Sequence, residues 1–79
     1  MKIYWDGNSK NIIGDKVLSL RKERGWTQKK LSELLQLEGH EFSELSILRI
    51  EKGQRFVADY EVKALAKVFG VGYEILLDE

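Results

Sequence analysis

Apolar residues recur three and four positions apart along most of this chain, the spacing that lines one face of an α-helix. In IGDKVLSLRKER, residues 13–24, Ile13, Val17 and Leu20 share a face, with Leu18 beside it. Gly25 follows, and glycine suits a helix end because it takes the left-handed conformation at little cost. Arg21, Lys22 and Arg24 crowd the last turn, where the helix dipole favours cations. Thr27 is a good N-cap for a second helix, which turns Leu31, Leu34 and Leu35 inward with Ser32 as the small residue of the packing side. That helix is expected to end between Gln36 and Gly39, and QLEGHEF, residues 36–42, then forms a connection. Ser43 opens a third helix whose Ile47 and Ile50 face the core and which Lys52 and Gly53 close. A fourth helix starts at Ala58 or Asp59, the aspartate being the better cap by its chemistry. Val62, Leu65, Ala66 and Phe69 make its stripe, and Gly70 stops it. YEILL, residues 73–77, adds a short fifth helix with Ile75 and Leu76 inward.

Residues 1–11 break this pattern. KIYW favours an extended conformation and DGN is a turn signal. A single strand needs a partner, and the rest of the chain offers no second one. The expectation is an arm that packs its aromatic residues on the helices or pairs with its counterpart in a dimer. The chain therefore divides into an N-terminal arm, residues 1–11, and one all-α domain, residues 12–79, a compact bundle of five helices.

Composition removes whole classes of function. The chain has 79 residues, no cysteine and a single histidine, His40. Neither a disulfide framework nor a thiolate metal site is available, and one histidine does not build a zinc site. No metal or cofactor is expected. No nucleophile stands with a base, and Glu33, Glu38 and Glu41 read as solvated carboxylates rather than an acid/base pair. The glycines form neither a phosphate loop nor a dinucleotide fingerprint, so no enzyme is expected. No apolar run approaches the roughly 18 residues of a membrane span, and MKIYWDGNSK lacks the apolar core of a signal peptide. A cytoplasmic protein without a membrane partner is the simplest expectation.

Charge adds a direction. The formal net charge is zero. Residues 14–30 nevertheless hold six cations against two anions, while residues 57–79 hold two cations against five anions. A polyanion meets one basic end of the chain, although a run of this kind also serves as an ordinary solvated helix face.

LRKERGWTQKKLSELL (20–35), SILRIEKGQR (46–55) and LAKVFGVGYEILL (65–77) stand in an order and at a spacing that resemble the lambda-repressor-like helix-turn-helix family, XRE type. The likeness covers about residues 12–77. It implies a sequence-specific regulator of transcription that binds double-stranded DNA, with repression favoured, as a homodimer on a two-fold operator. The third helix would enter the major groove by its N-terminal part and turn Glu44, Leu45, Ser46 and Arg49 to the bases. Arg49 suits guanine, Glu44 accepts from a cytosine amino group, and Leu45 lies on a thymine methyl. Gln28 matches a family glutamine that reaches a phosphate, with Thr27 and Ser43 as neighbouring hydroxyls at helix starts that attract anions. Lys52, Gly53, Gln54 and Arg55 match a loop along the phosphates. Arg21 and Glu51 match a structural ion pair between the first and third helices.

Two departures from the family pattern stand out. The 36–42 connection is longer than the usual turn, and Val57-Ala58 replaces a common proline and capping serine or threonine. Leu48 is either covered by the connection, through Phe42 or Leu37, or presented to DNA or a partner. Glu44, Leu48 and the zero net charge suit a second reading, a protein-interaction or antitoxin-like module that keeps the fold.

Overall fold

The computed structural model describes residues 9–77. The extended segment expected for KIYW lies outside the described residues. Five helices follow in order: α1 (Gly14–Glu23), α2 (Gln28–Leu37), α3 (Glu44–Glu51), α4 (Asp59–Phe69) and α5 (Tyr73–Leu77). No strand occurs among the described residues. α3 packs on α1 and α2, α4 packs on α1 and α2, and α5 packs on α4. The radius of gyration is 11.4 Å, close to the roughly 11–12 Å of a packed chain of this length.

Most boundaries follow local chemistry. The Thr27 and Ser43 hydroxyls accept the Lys30 and Ser46 N–H groups, each at 3.0 Å, and so satisfy donors that the first turns of α2 and α3 leave over. Gly53 and Gly70 sit just beyond α3 and at the end of α4 with φ of 71° and 72°, a conformation that a side chain would strain. The start of α1 is less obvious. Its N-cap, Ile13, offers no side-chain bond, and the Asn11 Oδ1 atom instead accepts from Gly14 N at 2.8 Å and Ile13 N at 3.2 Å.

The start of α4 corrects the preference for Asp59. Ala58 is the N-cap and Asp59 is the first helical residue. Glu61, two residues into the helix, reaches back to accept the Ala58 N–H at 2.9 Å. That bond does part of a cap's work from the other side and frees the cap position from needing an oxygen. Asp59 accepts from Tyr60 N instead.

The core joins Ile13, Val17, Leu31, Leu35, Phe42, Ile47, Ile50, Val62, Leu65, Phe69 and Leu76, with Ala64 and Ala66 filling the gaps on α4. Trp26 stacks on Phe69 with ring centroids 5.6 Å apart. Ile75 is a second correction: it is 48% exposed, while Leu76 is fully buried. α5 is too short to turn two successive residues, about 100° apart around its axis, into one groove on α4. The long connection is no open loop. Phe42 is buried in the core, and the Ser32 hydroxyl donates to the Phe42 carbonyl. Leu37 is 82% exposed, so it does not cover Leu48, which is half-buried.

Candidate nucleic-acid interface

Helix α3 presents its first turn to solvent because its buried residues lie elsewhere. Ile47 and Ile50 occupy the core side. Glu44, Leu45 and Arg49 are exposed, and Ser46 is half-buried. The Arg49 side chain bonds no described residue, so its fork is available to an outside acceptor. The Ser43 hydroxyl is fully used locally: it accepts from Ser46 N and donates to Ser46 Oγ at 3.0 Å. The Thr27 hydroxyl accepts from Lys30 N and donates to no described residue.

What sets the angle of α3 is a buried polar junction at its last residue. Glu51 Oε2 accepts from Arg21 Nε at 2.7 Å, and Oε1 accepts from Arg21 Nη2 at 3.1 Å. Arg21 Nη1 also donates to the Trp26 carbonyl at 2.8 Å. The Glu51 side chain is only 4% exposed. Gln28 joins this junction: its Nε2 donates to Glu51 Oε1 at 3.0 Å. One carboxylate thus ties together α1, the turn after it, the start of α2 and the end of α3. One hydrogen of the Gln28 amide is spent on Glu51 in this structure, so a phosphate contact from the same nitrogen falls to its second hydrogen.

Arg55 is the phosphate candidate most changed by its surroundings. Its guanidinium grips Glu61 with both nitrogens, at 3.1 and 2.9 Å, and lies over the Phe42 ring at 5.3 Å. The bond to Glu61 raises the arginine pKa. Burial by itself pushes the Glu61 carboxyl up, but the bonds from Arg55 and the Ala58 N–H outweigh it and hold the group below its ordinary range. Arg55 therefore braces the loop against α4. Lys52 and Gln54 remain exposed beside it.

The basic end is also smaller than the count of charges implies. Arg21 is committed to Glu51. Arg24 donates to the Phe69 carbonyl and spreads over the Trp26 and Phe69 rings at 5.7 and 5.3 Å. The exposed cations near the two helix starts are Lys22, Lys29 and Lys30, with Lys52 on the loop after α3.

Sequence reading missed the segment Ser9–Asn11. Lys10 N donates to the Gly53 carbonyl at 2.7 Å. Asn11 Nδ2 donates to the carbonyls of Arg55 at 2.8 Å and Ile50 at 3.2 Å. The local signal was an asparagine just ahead of a helical pattern. Its second set of partners is 39 and 44 residues away, beyond any local pattern.

These features, an exposed α3 held at its far end against α1 and α2, define a helix-turn-helix protein of the XRE type. The sequence model of the family described as "Helix-turn-helix" matches residues 17–76, and the chain belongs to that family. It is, at that level, a DNA-binding transcriptional regulator. No curated protein matches the chain. Among solved structures, the restriction-modification controller protein C.AhdI from Aeromonas hydrophila is similar in fold. The TM-score is 0.71 at 23% identity, over 81% of this chain and 89% of that one.

Proposed function

We propose that this protein is a repressor that binds a two-fold operator as a homodimer, within the cytoplasm. Glu44, Leu45, Ser46 and Arg49 read the bases; Thr27, Gln28, Lys52 and Gln54 contact phosphates, with Lys29 and Lys30 adding to the field at the start of α2. The observation that carries this reading is Arg49, an exposed guanidinium without a partner among the described residues, on a helix whose orientation the buried Glu51 junction fixes. Of the phosphate assignments, Ser43 contributes as a cap, since its hydroxyl is spent, and Arg55 as a brace. Repression needs only occupancy of a promoter, which a single domain supplies.

The dimer rests on a different face. Phe56, Tyr60, Tyr73, Ile75 and Leu77 are exposed around α4 and α5. Of these, Phe56, Tyr73 and Leu77 line a groove of about 800 Å³ that also takes in Ile12, Val57 and Lys63. Half-exposed aromatic and aliphatic side chains of this size offer about 100 Å² each, so the five together supply about 500 Å², the larger part of the roughly 800 Å² per partner of a standard interface. Lys63 stands with Asp59 and Glu74 on these helices, which lets a two-fold related copy match opposite charges. α5 packs on α4 rather than on α3, so this face and the reading helix do not compete.

Selection of random duplex DNA by the purified protein, at low and high salt, tests the proposal. An enriched two-fold motif that is lost at high salt supports it, because phosphate neutralisation makes affinity fall steeply with salt. No enrichment at low salt overturns it. The result then favours the interaction-module reading, for which the same apolar face and the half-exposed Leu45 are the specific observations.

A further inference from the structure

The loop after α3 carries Lys52 and Gln54, and in the reading above it lies along the phosphates. A loop in that position holds its side chains to a phosphate only if its own backbone is held. The carbonyls of Ile50, Gly53 and Arg55, at the last turn of α3 and in the loop, turn inward, and two consecutive residues from before α1 donate to all three; Ile50 also accepts the Gly53 N–H at 3.0 Å. Lys10 N–H binds the Gly53 carbonyl at 2.7 Å. The two Asn11 amide hydrogens reach the Ile50 and Arg55 carbonyls at 3.2 and 2.8 Å. The other end of the same side chain accepts the Ile13 and Gly14 N–H groups. A primary amide is the side chain that does both at once, since it holds two donors and an acceptor.

The surrounding packing leaves no slack for this segment. A Cβ at Gly14 would collide with the Ile50 carbonyl, and one at Gly53 would collide with the Ser9 hydroxyl. Gly53 is buried with φ of 71°. Two glycines, on either side of Asn11, therefore let the backbones of residues 9–14 and 50–55 approach closely enough for the amide to bridge them.

We propose that Asn11 is a positioning residue for DNA binding: it clamps the loop 52–55 against the start of α1 and so fixes the backbone that presents Lys52 and Gln54. The inference rests on the DNA-binding reading above. It assigns Asn11 no contact with DNA itself. Its effect passes through Lys52 and Gln54, so it changes affinity for every sequence and leaves base preference to α3.

Asn11→Asp separates the two jobs of the side chain. The carboxylate still accepts from Ile13 and Gly14, so α1 keeps its cap, but it sets an anionic oxygen against the Ile50 and Arg55 carbonyls. Asn11→Ser is the neutral counterpart: it keeps a capping oxygen and loses the reach. Binding of the full chain to the selected operator and to a scrambled duplex is measured by anisotropy over a series of salt concentrations, below the melting temperature of each variant. Both variants are expected to bind both duplexes about tenfold more weakly, the order of one lost charge-assisted bond. The salt slope should flatten by about one, with the ratio between operator and scrambled duplex unchanged. Arg24→Ala, which loosens the far side of the domain at Trp26 and Phe69, should lower the melting temperature and leave the slope alone. A wild-type slope in both Asn11 variants overturns the inference, and so does a loss confined to the operator. If the wild-type chain binds neither duplex, the DNA-binding reading has failed. The clamp then stands or falls on amide exchange at Gly53, Gln54 and Arg55: faster exchange in Asn11→Ser, with α2 still protected, supports it, and unchanged exchange overturns it.

Discussion

The two ends of the domain solve opposite problems. Around Glu51, whose side chain is 4% exposed, both carboxylate oxygens and all three Arg21 guanidinium nitrogens find partners, with Gln28 from α2 and the Trp26 carbonyl from the turn before it joining them. Around α5, apolar groups are left in water, with Tyr60 63% and Tyr73 52% exposed. A saturated polar junction fixes one arrangement of its helices, because any shift strands a buried charge. An exposed apolar face fixes nothing within the chain and gains by being covered from outside. The contrast lets one small domain hold α3 rigidly and still leave open the apolar face proposed above for assembly.

The sharpest way to break the comparison is to remove one side of the buried pair. Arg21→Met leaves Glu51 in the core without its cation. Unpairing a buried charge costs about 3–5 kcal/mol, most of the stability of a domain this small. Denaturant unfolding should show that loss, and the double variant Arg21→Met with Glu51→Leu should recover a large part of it. A single variant as stable as wild type would mean that the junction is wetter than its geometry implies, and the rigidity argued for α3 would go with it.

The apolar face predicts a different signature. Tyr73→Ala with Leu77→Ala should shift sedimentation from dimer to monomer and weaken the assembly by about 2 kcal/mol or more, the scale of an interface anchor. Folding of the monomer should barely change, because both side chains are already half in water. A loss of folding with no change in assembly would place these residues in the core's service rather than the interface's.

Arg49→Ala addresses the reading helix alone. Preference for the selected operator should fall by about 1–3 kcal/mol, the worth of a bidentate contact to guanine, while weak binding to other duplexes persists. Gln28→Ala should weaken all duplexes about equally if its amide also reaches a phosphate. Unchanged DNA binding, with reduced stability, would confine Gln28 to the junction.

Much of the fold was legible because its signals are local. Thr27 and Ser43 sit one residue before their helices and cap them through atoms three residues away. The α3 and α4 stripes follow from spacing alone. Errors arose where a neighbour in space takes over a local role. Ala58 serves as a cap because Glu61 supplies the oxygen. Ile75 and Leu76 looked alike until α4 chose one of them. The candidate interface rests on the resemblance, which pointed to α3 and its flanks. Charge by itself overstated the basic end, since Arg21 and Arg24 are spent on Glu51 and Phe69, and Arg55, in the loop after α3, is spent on Glu61. Asn11 carried no family signal and acquires its meaning only from carbonyls far along the chain.

The smallest expected effect concerns the Arg55–Glu61 brace, and it is one of pH. Glu61 has a lower pKa in the folded chain than an ordinary glutamate. A group of that kind contributes stability that is fully present above its unfolded value of about 4.3 and is lost as pH falls through the lower, folded value. The stability gap between wild type and Glu61→Gln should therefore be constant from neutrality down to about pH 5 and close in more acidic solution. Both partners keep some contact with water, with side chains 29% and 13% exposed, so screening holds the gap to about 1 kcal/mol or less. Urea midpoints of the two proteins at neutral pH and near pH 3 measure it. A gap that survives at the acidic end would mean that Glu61 acts through shape and its bond to Ala58 N–H, which a glutamine oxygen reproduces in part, rather than through its charge on Arg55.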